Sequence, residues 1–230
     1  MRVLSLLAAA ATPSCWAFVS HVPRMSLAPF PYESVIPFLA EHVQPSDQVL
    51  ILGATTDLAE QLSRNGYGTR DERSFLWVVD DNEEAITSAR ASAEADATCA
   101  KHLQEGNLRF QLVPDLTELQ ADQSCVDSVI DAGALDNLLL NRGVDAAGKC
   151  IDAAHIAVRL GNPMVCISYL EDKSVFMAPF DARFGWMQEL DGDPGAVTMW
   201  YRGKVNIKDV ASDFQKLGIK FFVYTNVDNC

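Results

Sequence analysis

The sequence lacks an excess of positive charge. Its 230 residues include 31 Asp and Glu but only 18 Lys and Arg, which gives a formal net charge of -13. Proteins that bind nucleic acid use Lys and Arg to displace counterions from the phosphate backbone. The acidic balance therefore argues against DNA or RNA as a partner and leaves proteins and small molecules as candidates.

The chain also lacks a metal-like arrangement of cysteines. None of its six cysteines forms a C-x-x-C pair or a tight cluster with histidine, so no metal site is expected. This scattered distribution fits cysteines that serve as small buried apolar side chains in a reducing compartment. The cysteines are Cys15, Cys99, Cys125, Cys150, Cys166 and Cys230.

No apolar run is long enough to predict stable insertion into a membrane. The run from Val3 to Ala11 follows Arg2 and is typical of a signal peptide, which we expect to span residues 1–17 with cleavage before Phe18. Residues 18–30 contain no acid and are typical of a transit peptide. Together they resemble the bipartite plastid presequences of algae with secondary plastids. We therefore expect a plastid protein, in the stroma or lumen, with secretion as the alternative.

Apolar runs of strand length alternate with helical patterns along the rest of the chain, and 49% of all residues are hydrophobic. This alternation indicates a parallel sheet covered by helices on both faces. We predict a single domain, residues 31–230, of the α/β class: a Rossmann-like, doubly wound, mostly parallel seven-stranded sheet. The predicted strands are 48–52, 75–79, 109–113, 124–131, 164–168, 195–201 and 221–225.

Three helical segments are predicted from pattern and capping signals. The first covers 57–65 and is ended by Gly66, and another covers 208–217. A long Ala-rich helix is predicted from Asp81, with Glu84 completing the cap signal, to about Leu103. The segment 169–194 carries no readable motif and is predicted to form substrate-facing loops.

A nucleotide-like ligand is expected at the first strand-to-helix turn and at an acid after the second strand. The turn is residues 53–57, GATTD, and the acid is Asp80. A carboxylate at a strand end can accept hydrogen bonds from both hydroxyls of a ribose. Asp81 is predicted to cap the following helix, which leaves Asp80 for a ligand, and Asp57 is predicted to cap the helix after the turn.

Residues 126–136, VDSVIDAGALD, are similar to an F-D-x-V-x-D-x-G-x-L-D motif. Five further segments also resemble motifs of a known family, and they occur along the chain in the order that this family has. These are 49–59 (VLILGATTDLA), 77–82 (WVVDDN), 113–115 (VPD), 159–163 (RLGNP) and 222–224 (FVY). Together they resemble the class I S-adenosylmethionine-dependent methyltransferases, and the 126–136 motif resembles their methyltransferase-like group, which includes protein lysine methyltransferases. The correspondence covers nearly all of the chain after the presequence.

The resemblance implies S-adenosylmethionine as the cofactor, bound by Gly53, Ala54, Thr55, Asp80, Asp115 and Asp131. It implies that Asp115 lies near the adenine and that Asp131 is the catalytic residue, facing the transferred methyl group. Asp136 and Tyr169 are nearby candidates for orienting a nucleophile. The chain departs from the family at Ile51, where an acid is usual, and at Thr55 and Asp57, where glycines are usual. Its glycine loop is therefore degenerate.

Three functions remain open from the sequence. The first is a plastid methyltransferase acting on a protein side chain or a small metabolite, and the missing N-P-P-Y or D-P-P-Y pattern argues against nucleobases. The second, motivated by Thr55 and Asp57, is an inactive methyltransferase fold that serves as a binding or assembly factor, for example in a plastid protein complex. The third, ranked lowest, is an NAD(P)-binding short-chain dehydrogenase, because Tyr169 and Lys173 have Y-x-x-x-K spacing.

Overall fold

The computed structural model describes residues 32–54, 57–69, 72–191 and 218–227. The predicted presequence, Thr55, and the strand and helix predicted at 195–201 and 208–217 lie outside these residues. Within the described ranges, no helix is both long enough and apolar enough to cross a membrane.

Seven helices and seven strands follow one another along the described chain. In order they are α1 (Tyr32–Leu39), β1 (Gln48–Leu52), α2 (Leu58–Arg64), β2 (Phe75–Asp80), α3 (Glu83–Ala95), α4 (Ala97–Glu105), β3 (Leu108–Leu112), β4 (Ser128–Asp131), α5 (Ala134–Arg142), α6 (Val144–Ala157), β5 (Pro163–Ser168), α7 (Lys173–Asp181), β6 (Trp186–Asp191) and β7 (Lys220–Asn226). A short 3-10 turn, Leu116–Glu118, lies between β3 and β4.

The strands form one sheet in the order β3-β2-β1-β4-β5-β7-β6. β1 to β5 are mutually parallel, whereas β7 runs antiparallel to both of its neighbours. The carboxyl ends of β1, β2, β4 and β5 therefore meet at one edge, together with the beginning of β7. The prediction of one doubly wound, mostly parallel, seven-stranded domain is confirmed.

Both faces of the sheet are buried, which explains why the inner strands are apolar without alternation. On β1, Val49 and Ile51 belong to the core on one face, while Leu50 and Leu52 belong to the core on the other. All four are at most 1% exposed. Helices α1 to α4 contribute to the first core, and α5 to α7 contribute to the second.

The prediction of one helix from Asp81 to about Leu103 is wrong, because the helix is interrupted at Asp96. Asp96 has extended backbone, and its Oδ1 accepts hydrogen bonds from the N–H groups of Thr98 (3.0 Å) and Cys99 (2.9 Å). These N–H groups would otherwise bond to carbonyls of the preceding turn. A carboxylate that satisfies them starts a second helix, so α3 and α4 replace one long helix.

The strand predicted over 124–131 is shorter than expected and covers only the last four residues, as β4. Ser124 has a positive φ of 53°, and Val126 makes an isolated bridge to Val158. Asp127 accepts a hydrogen bond from the Gln48 N–H (2.9 Å) and pairs with Arg159. The stretch before β4 is therefore held by side-chain contacts and by separate backbone hydrogen bonds, such as the one from the Asp127 N–H to the Gln48 carbonyl at 2.7 Å, without a continuous strand ladder.

The prediction that 169–194 forms loops is also wrong, since α7 and β6 lie within it. β6 reads WMQELD, without the continuous apolar run of the inner strands. It pairs with β7 alone among the described strands and lies at the end of the sheet. A strand buried on fewer sides needs fewer apolar residues, and this is why its pattern was not recognised.

Candidate active site

The turn after β1 begins with a glycine in a left-handed backbone conformation. Gly53 has a φ of 98°, which favours glycine, and its N–H donates to the Val79 carbonyl at 2.8 Å. A Cβ atom on Gly53 would lie 3.4 Å from the Ala132 oxygen and 3.5 Å from the Ala134 Cβ. The turn thus packs closely against the start of α5. Ala54 follows, 6% exposed, and Thr55 lies outside the described residues.

Asp80 joins this turn to the end of β2. Its Oδ2 accepts a hydrogen bond from the Ala54 N–H at 2.8 Å, and its Oδ1 accepts one from the Asn82 N–H, also at 2.8 Å. Asp80 is only 2% exposed. The structure therefore brings together three predicted cofactor residues, Gly53, Ala54 and Asp80, at the carboxyl ends of β1 and β2.

Two predicted helix caps differ from the structure. The cap of α3 is Asn82 and not Asp81, because Asn82 Oδ1 accepts from the Ala85 N–H at 2.9 Å. Asp57 occupies the cap position of α2, but its side chain makes no capping hydrogen bond and instead accepts from Gln61 Nε2 (3.2 Å). The Asp57 carboxylate is exposed beside the Gly53 turn.

Asp115, predicted near the adenine, is bound to another protein group. Arg142, in the last turn of α5, donates two hydrogen bonds to its carboxylate, at 2.7 and 2.8 Å. The Thr117 N–H also donates to Asp115 Oδ1 at 2.8 Å. The Arg142 fork holds the pKa of Asp115 well below its usual range. This pair fixes the chain after β3 to α5.

Asp131, the predicted catalytic residue, lies entirely inside the protein. It is 0% exposed, and it ends β4 opposite Leu52 and Cys166 in the adjoining strands. Its Oδ1 accepts from the Leu135 N–H at 3.1 Å, and its Oδ2 has no hydrogen-bond partner among the described residues. Burial raises the pKa of Asp131 well above its usual value, with the nearby Asp136 adding to the shift. The Asp131 carboxylate therefore stabilises the first turn of α5 from the buried end of β4.

Asp136 connects α5 to the end of β5. Its Oδ1 accepts from the Ser168 hydroxyl at 2.8 Å, and its Oδ2 accepts from the Tyr169 N–H at 2.7 Å. Lys220, the first residue of β7, donates from Nζ to the Leu170 carbonyl at 2.6 Å. Burial raises the pKa of Asp136 to about 6.

Ser168 and Lys220 were not recognised from the sequence. Ser168 is the last residue of β5 and is fully buried, and a polar residue at the end of an apolar strand is a usable signal for such a contact. Lys220 had no comparable signal, because its contact depends on the reversed direction of β7. No group of three His, Cys, Asp or Glu residues within the described ranges could hold a metal ion.

Comparisons with known proteins give structural matches only. No family model matches the chain, and no curated protein matches it. Among solved structures, a TehB-like S-adenosylmethionine-dependent methyltransferase from Corynebacterium glutamicum has a TM-score of 0.55 at 14% identity, covering 86% of this chain and 89% of that one. The CcbJ methyltransferase from Streptomyces caelestis has a TM-score of 0.53 at 15% identity, covering 87% and 92%.

These matches define the class of fold. The chain has the fold of class I S-adenosylmethionine-dependent methyltransferases, including a seven-stranded sheet that is parallel except for β7. A cyclase, SpnF, also matches, with a TM-score of 0.51 at 10% identity over 84% of this chain and 80% of that one. Because a fold hosts more than one reaction, the reaction must be argued from the site.

Proposed function

We propose that this chain is an S-adenosylmethionine-dependent methyltransferase. The observation that carries the proposal is the turn after β1, which a hydrogen bond joins to the end of β2. Gly53 has a positive φ in this turn, and Asp80 accepts the hydrogen bond from the Ala54 N–H. In doubly wound sheets a nucleotide cofactor lies across such a turn, with its ribose near the acid after the second strand. The backbone cradle and the carboxylate of this chain fit that group.

The charge around the turn favours a cationic cofactor. Asp57 follows β1, Asp80 ends β2 and Asp81 follows it, and the whole chain carries a net charge of -13. S-adenosylmethionine has a net positive charge at neutral pH, whereas the pyrophosphate of a dinucleotide is doubly negative. The negative charge around this turn therefore attracts S-adenosylmethionine and repels a dinucleotide.

The dehydrogenase alternative loses support for a structural reason as well. The classic dinucleotide fold has the strand order 3-2-1-4-5-6, all parallel, whereas here an antiparallel β7 lies between β5 and β6. Tyr169 lies between β5 and α7, and Lys173 is the first residue of α7. The two side chains do not project from one helix face.

When bound, S-adenosylmethionine supplies a methyl group that its sulfonium makes electrophilic. The chain must then hold the acceptor in line and provide a route for the acceptor's proton. Asp131 as the catalytic group stays a prediction. Its hydrogen bond from the Leu135 N–H supports a positioning role for the β4–α5 turn.

The proposal extends to the setting of the protein. Residues 1–30 support import into a plastid, and the acidic charge supports a protein side chain or small metabolite as the acceptor instead of a nucleic acid. The acceptor side of the site is assigned to the carboxyl ends of β4 and β5, because the cofactor cradle occupies the ends of β1 and β2 at the same edge.

A second candidate is a binding or assembly factor that retains the fold without catalysis. Two observations favour it: Asp115 is held in a fork by Arg142, and Asp80 is almost fully buried with both oxygens bonded to backbone N–H groups. A ligand would have to share these carboxylates with the protein. The two candidates make opposite predictions for cofactor binding.

The experiment that tests the proposal compares Asp80→Ala with Asp96→Ala in full-length protein. Both variants remove a carboxylate that accepts two backbone N–H groups, but only Asp80 lies at the Gly53 turn. Calorimetric titration with S-adenosylmethionine and S-adenosylhomocysteine is expected to show binding to wild type. We expect Asp80→Ala to weaken it at least about tenfold, a difference of about 1.4 kcal/mol, and Asp96→Ala to leave it unchanged.

Two results would count against the proposal in different ways. Wild-type protein that binds neither ligand supports the binding-factor candidate. An Asp80→Ala variant that retains wild-type affinity shows that the ribose contact is assigned to the wrong residue.

A further inference from the structure

A buried carboxylate holds the chain segment that leaves β5. Asp136, in the first turn of α5, is 8% exposed and accepts hydrogen bonds from the Ser168 hydroxyl (2.8 Å) and the Tyr169 N–H (2.7 Å). The Leu170 N–H in turn donates to Ser168 Oγ at 3.2 Å. Ser168, Tyr169 and Leu170, which we call the β5 exit segment, are thus fixed to α5 by a single side chain.

The β5 exit segment lies at the edge where the acceptor must approach. It continues directly from the carboxyl end of β5, next to the end of β4 and the beginning of β7. Lys220 of β7 holds its other side through the Leu170 carbonyl at 2.6 Å. The half-buried Tyr169 ring packs against the core on the α1–α4 face. Displacement of this segment would therefore change the wall of the acceptor site.

We propose that Asp136 is a positioning residue for the acceptor side of the site: its ionised carboxylate fixes the β5 exit segment against α5, and protonation loosens it. The fixing of the segment stands on the hydrogen bonds alone. Its consequence for the acceptor rests on the proposed methyltransferase function.

The hydrogen-bond chemistry gives the reason for this dependence on protonation. Ser168 and Tyr169 both donate hydrogen bonds to Asp136, and an ionised carboxylate accepts at both oxygens. The Tyr169 N–H has a fixed direction, so a proton on the facing oxygen would oppose it. A proton on the other oxygen is accommodated by rotation of the Ser168 hydroxyl, but the bond from Tyr169 then loses its charge assistance and about half its strength.

Burial of the Asp136 carboxyl places this change in an accessible pH range. Burial raises the pKa of Asp136 to about 6, while the hydrogen bonds from Tyr169 and Ser168 and the charge of Lys220 oppose the increase. Asp131 faces it from β4 and Cys166 from β5, and burial raises the pKa of both of these groups. Asp136 is therefore ionised at pH 7 and gains its proton as the pH falls through about 6.

Hydrogen exchange of the Tyr169 and Leu170 amides between pH 5 and 8 tests the proposal, with rates corrected for the intrinsic effect of pH. In wild type we expect local opening to increase about tenfold as the pH falls through the Asp136 transition, because a charge-assisted hydrogen bond becomes a neutral one. Asp136→Asn should expose the segment at every pH and remove the transition.

Three further variants keep the test independent of whether Asp136→Asn folds. Ser168→Ala and Lys220→Met each remove a group that lowers the Asp136 pKa, so both should move the midpoint to higher pH. Asp172→Asn is the matched control. Asp172 caps α7 two residues after Leu170 through the Ser174 N–H (2.9 Å), and this change should leave the midpoint in place.

The outcomes separate this proposal from the proposed function. A flat profile in wild type, or a midpoint that neither Ser168→Ala nor Lys220→Met moves, would overturn the role of Asp136. An equal shift in Asp172→Asn would do the same. S-adenosylmethionine should bind wild type and Asp136→Asn alike, since the hydrogen bonds of Asp136 to described residues go to Ser168 and Tyr169, on the β5 side of the sheet edge. Failure of wild type to bind it contradicts the methyltransferase proposal and leaves the exchange result standing.

Discussion

Gly53, directly after β1, and Gly66, two residues after α2, share a backbone conformation that residues with a side chain rarely adopt. Their φ angles are 98° and 82°. A Cβ atom on Gly66 would meet no atom within 4 Å, whereas one on Gly53 would lie in van der Waals contact with Ala132 and Ala134. Alanine variants at these two positions therefore separate the cost of backbone strain from the effect of changing the turn after β1.

We predict that Gly53→Ala and Gly66→Ala each destabilise the protein by about 1–2 kcal/mol, the usual cost of a left-handed conformation for a residue with a Cβ. Only Gly53→Ala should also weaken binding of S-adenosylmethionine, because it shifts the turn that holds the Ala54 N–H against Asp80. Chemical denaturation measures the first effect and calorimetry the second. Equal losses of affinity in the two variants would show that the turn is not the binding site.

At the scale of elements, the break between α3 and α4 depends on one side chain. Asp96 caps α4 through two N–H groups and also forms an ion pair with Arg64 of α2 at 3.0 Å. Arg64 and Asp96 are partly exposed, with side-chain exposures of 37% and 28%, so the ion pair contributes little beyond the cap.

Asp96→Ala is therefore expected to reduce the free energy of unfolding, because α4 loses the side chain that caps it. The loss should persist in high salt, because the hydrogen bonds of the cap are screened less than an exposed ion pair. Urea denaturation at low and high salt measures both. A loss that disappears at high salt would assign the effect to Arg64 instead of the cap.

The same break shows why local patterns predict helices better than helix ends. The Ala-rich sequence from Glu83 to Glu105 has high helix propensity throughout, and this part of the prediction was sound. Whether Asp96 lies within a helix or starts a new one depends on its side chain finding free N–H groups and on Arg64, 32 residues away. Helix propensity is a local property of the sequence and gives no information about either contact.

At the scale of the whole molecule, the sheet was predictable because its inner strands are buried on both faces and read as apolar runs. β1, β2 and β5 were found within one residue at each end. The reversed direction of β7 was not predictable, because an apolar strand has the same composition in either direction. β6 was missed because a strand at the end of the sheet is less apolar.

The site was predictable in part, and for a related reason. The ends of β1 and β2 do bring Gly53, Ala54 and Asp80 together, as the strand pattern predicts, and their role in binding a cofactor stays a prediction. The protein partners of the carboxylates were not foreseen, since Ala54 lies 26 positions from Asp80 and Arg142 lies 27 positions from Asp115. Only the folded chain shows that the motif residues Asp131 and Asp136 brace α5 against β4 and β5.

The central claim is that the acidic, glycine-poor turn at Gly53 accepts a cationic S-adenosyl cofactor. Calorimetric titration of the full chain with S-adenosylmethionine, with NADPH as the anionic comparison, tests it most directly. We predict a single site for S-adenosylmethionine with a dissociation constant on the order of micromolar, about −8 kcal/mol, and no heat with NADPH. Binding of NADPH alone, or of neither compound, would contradict the claim.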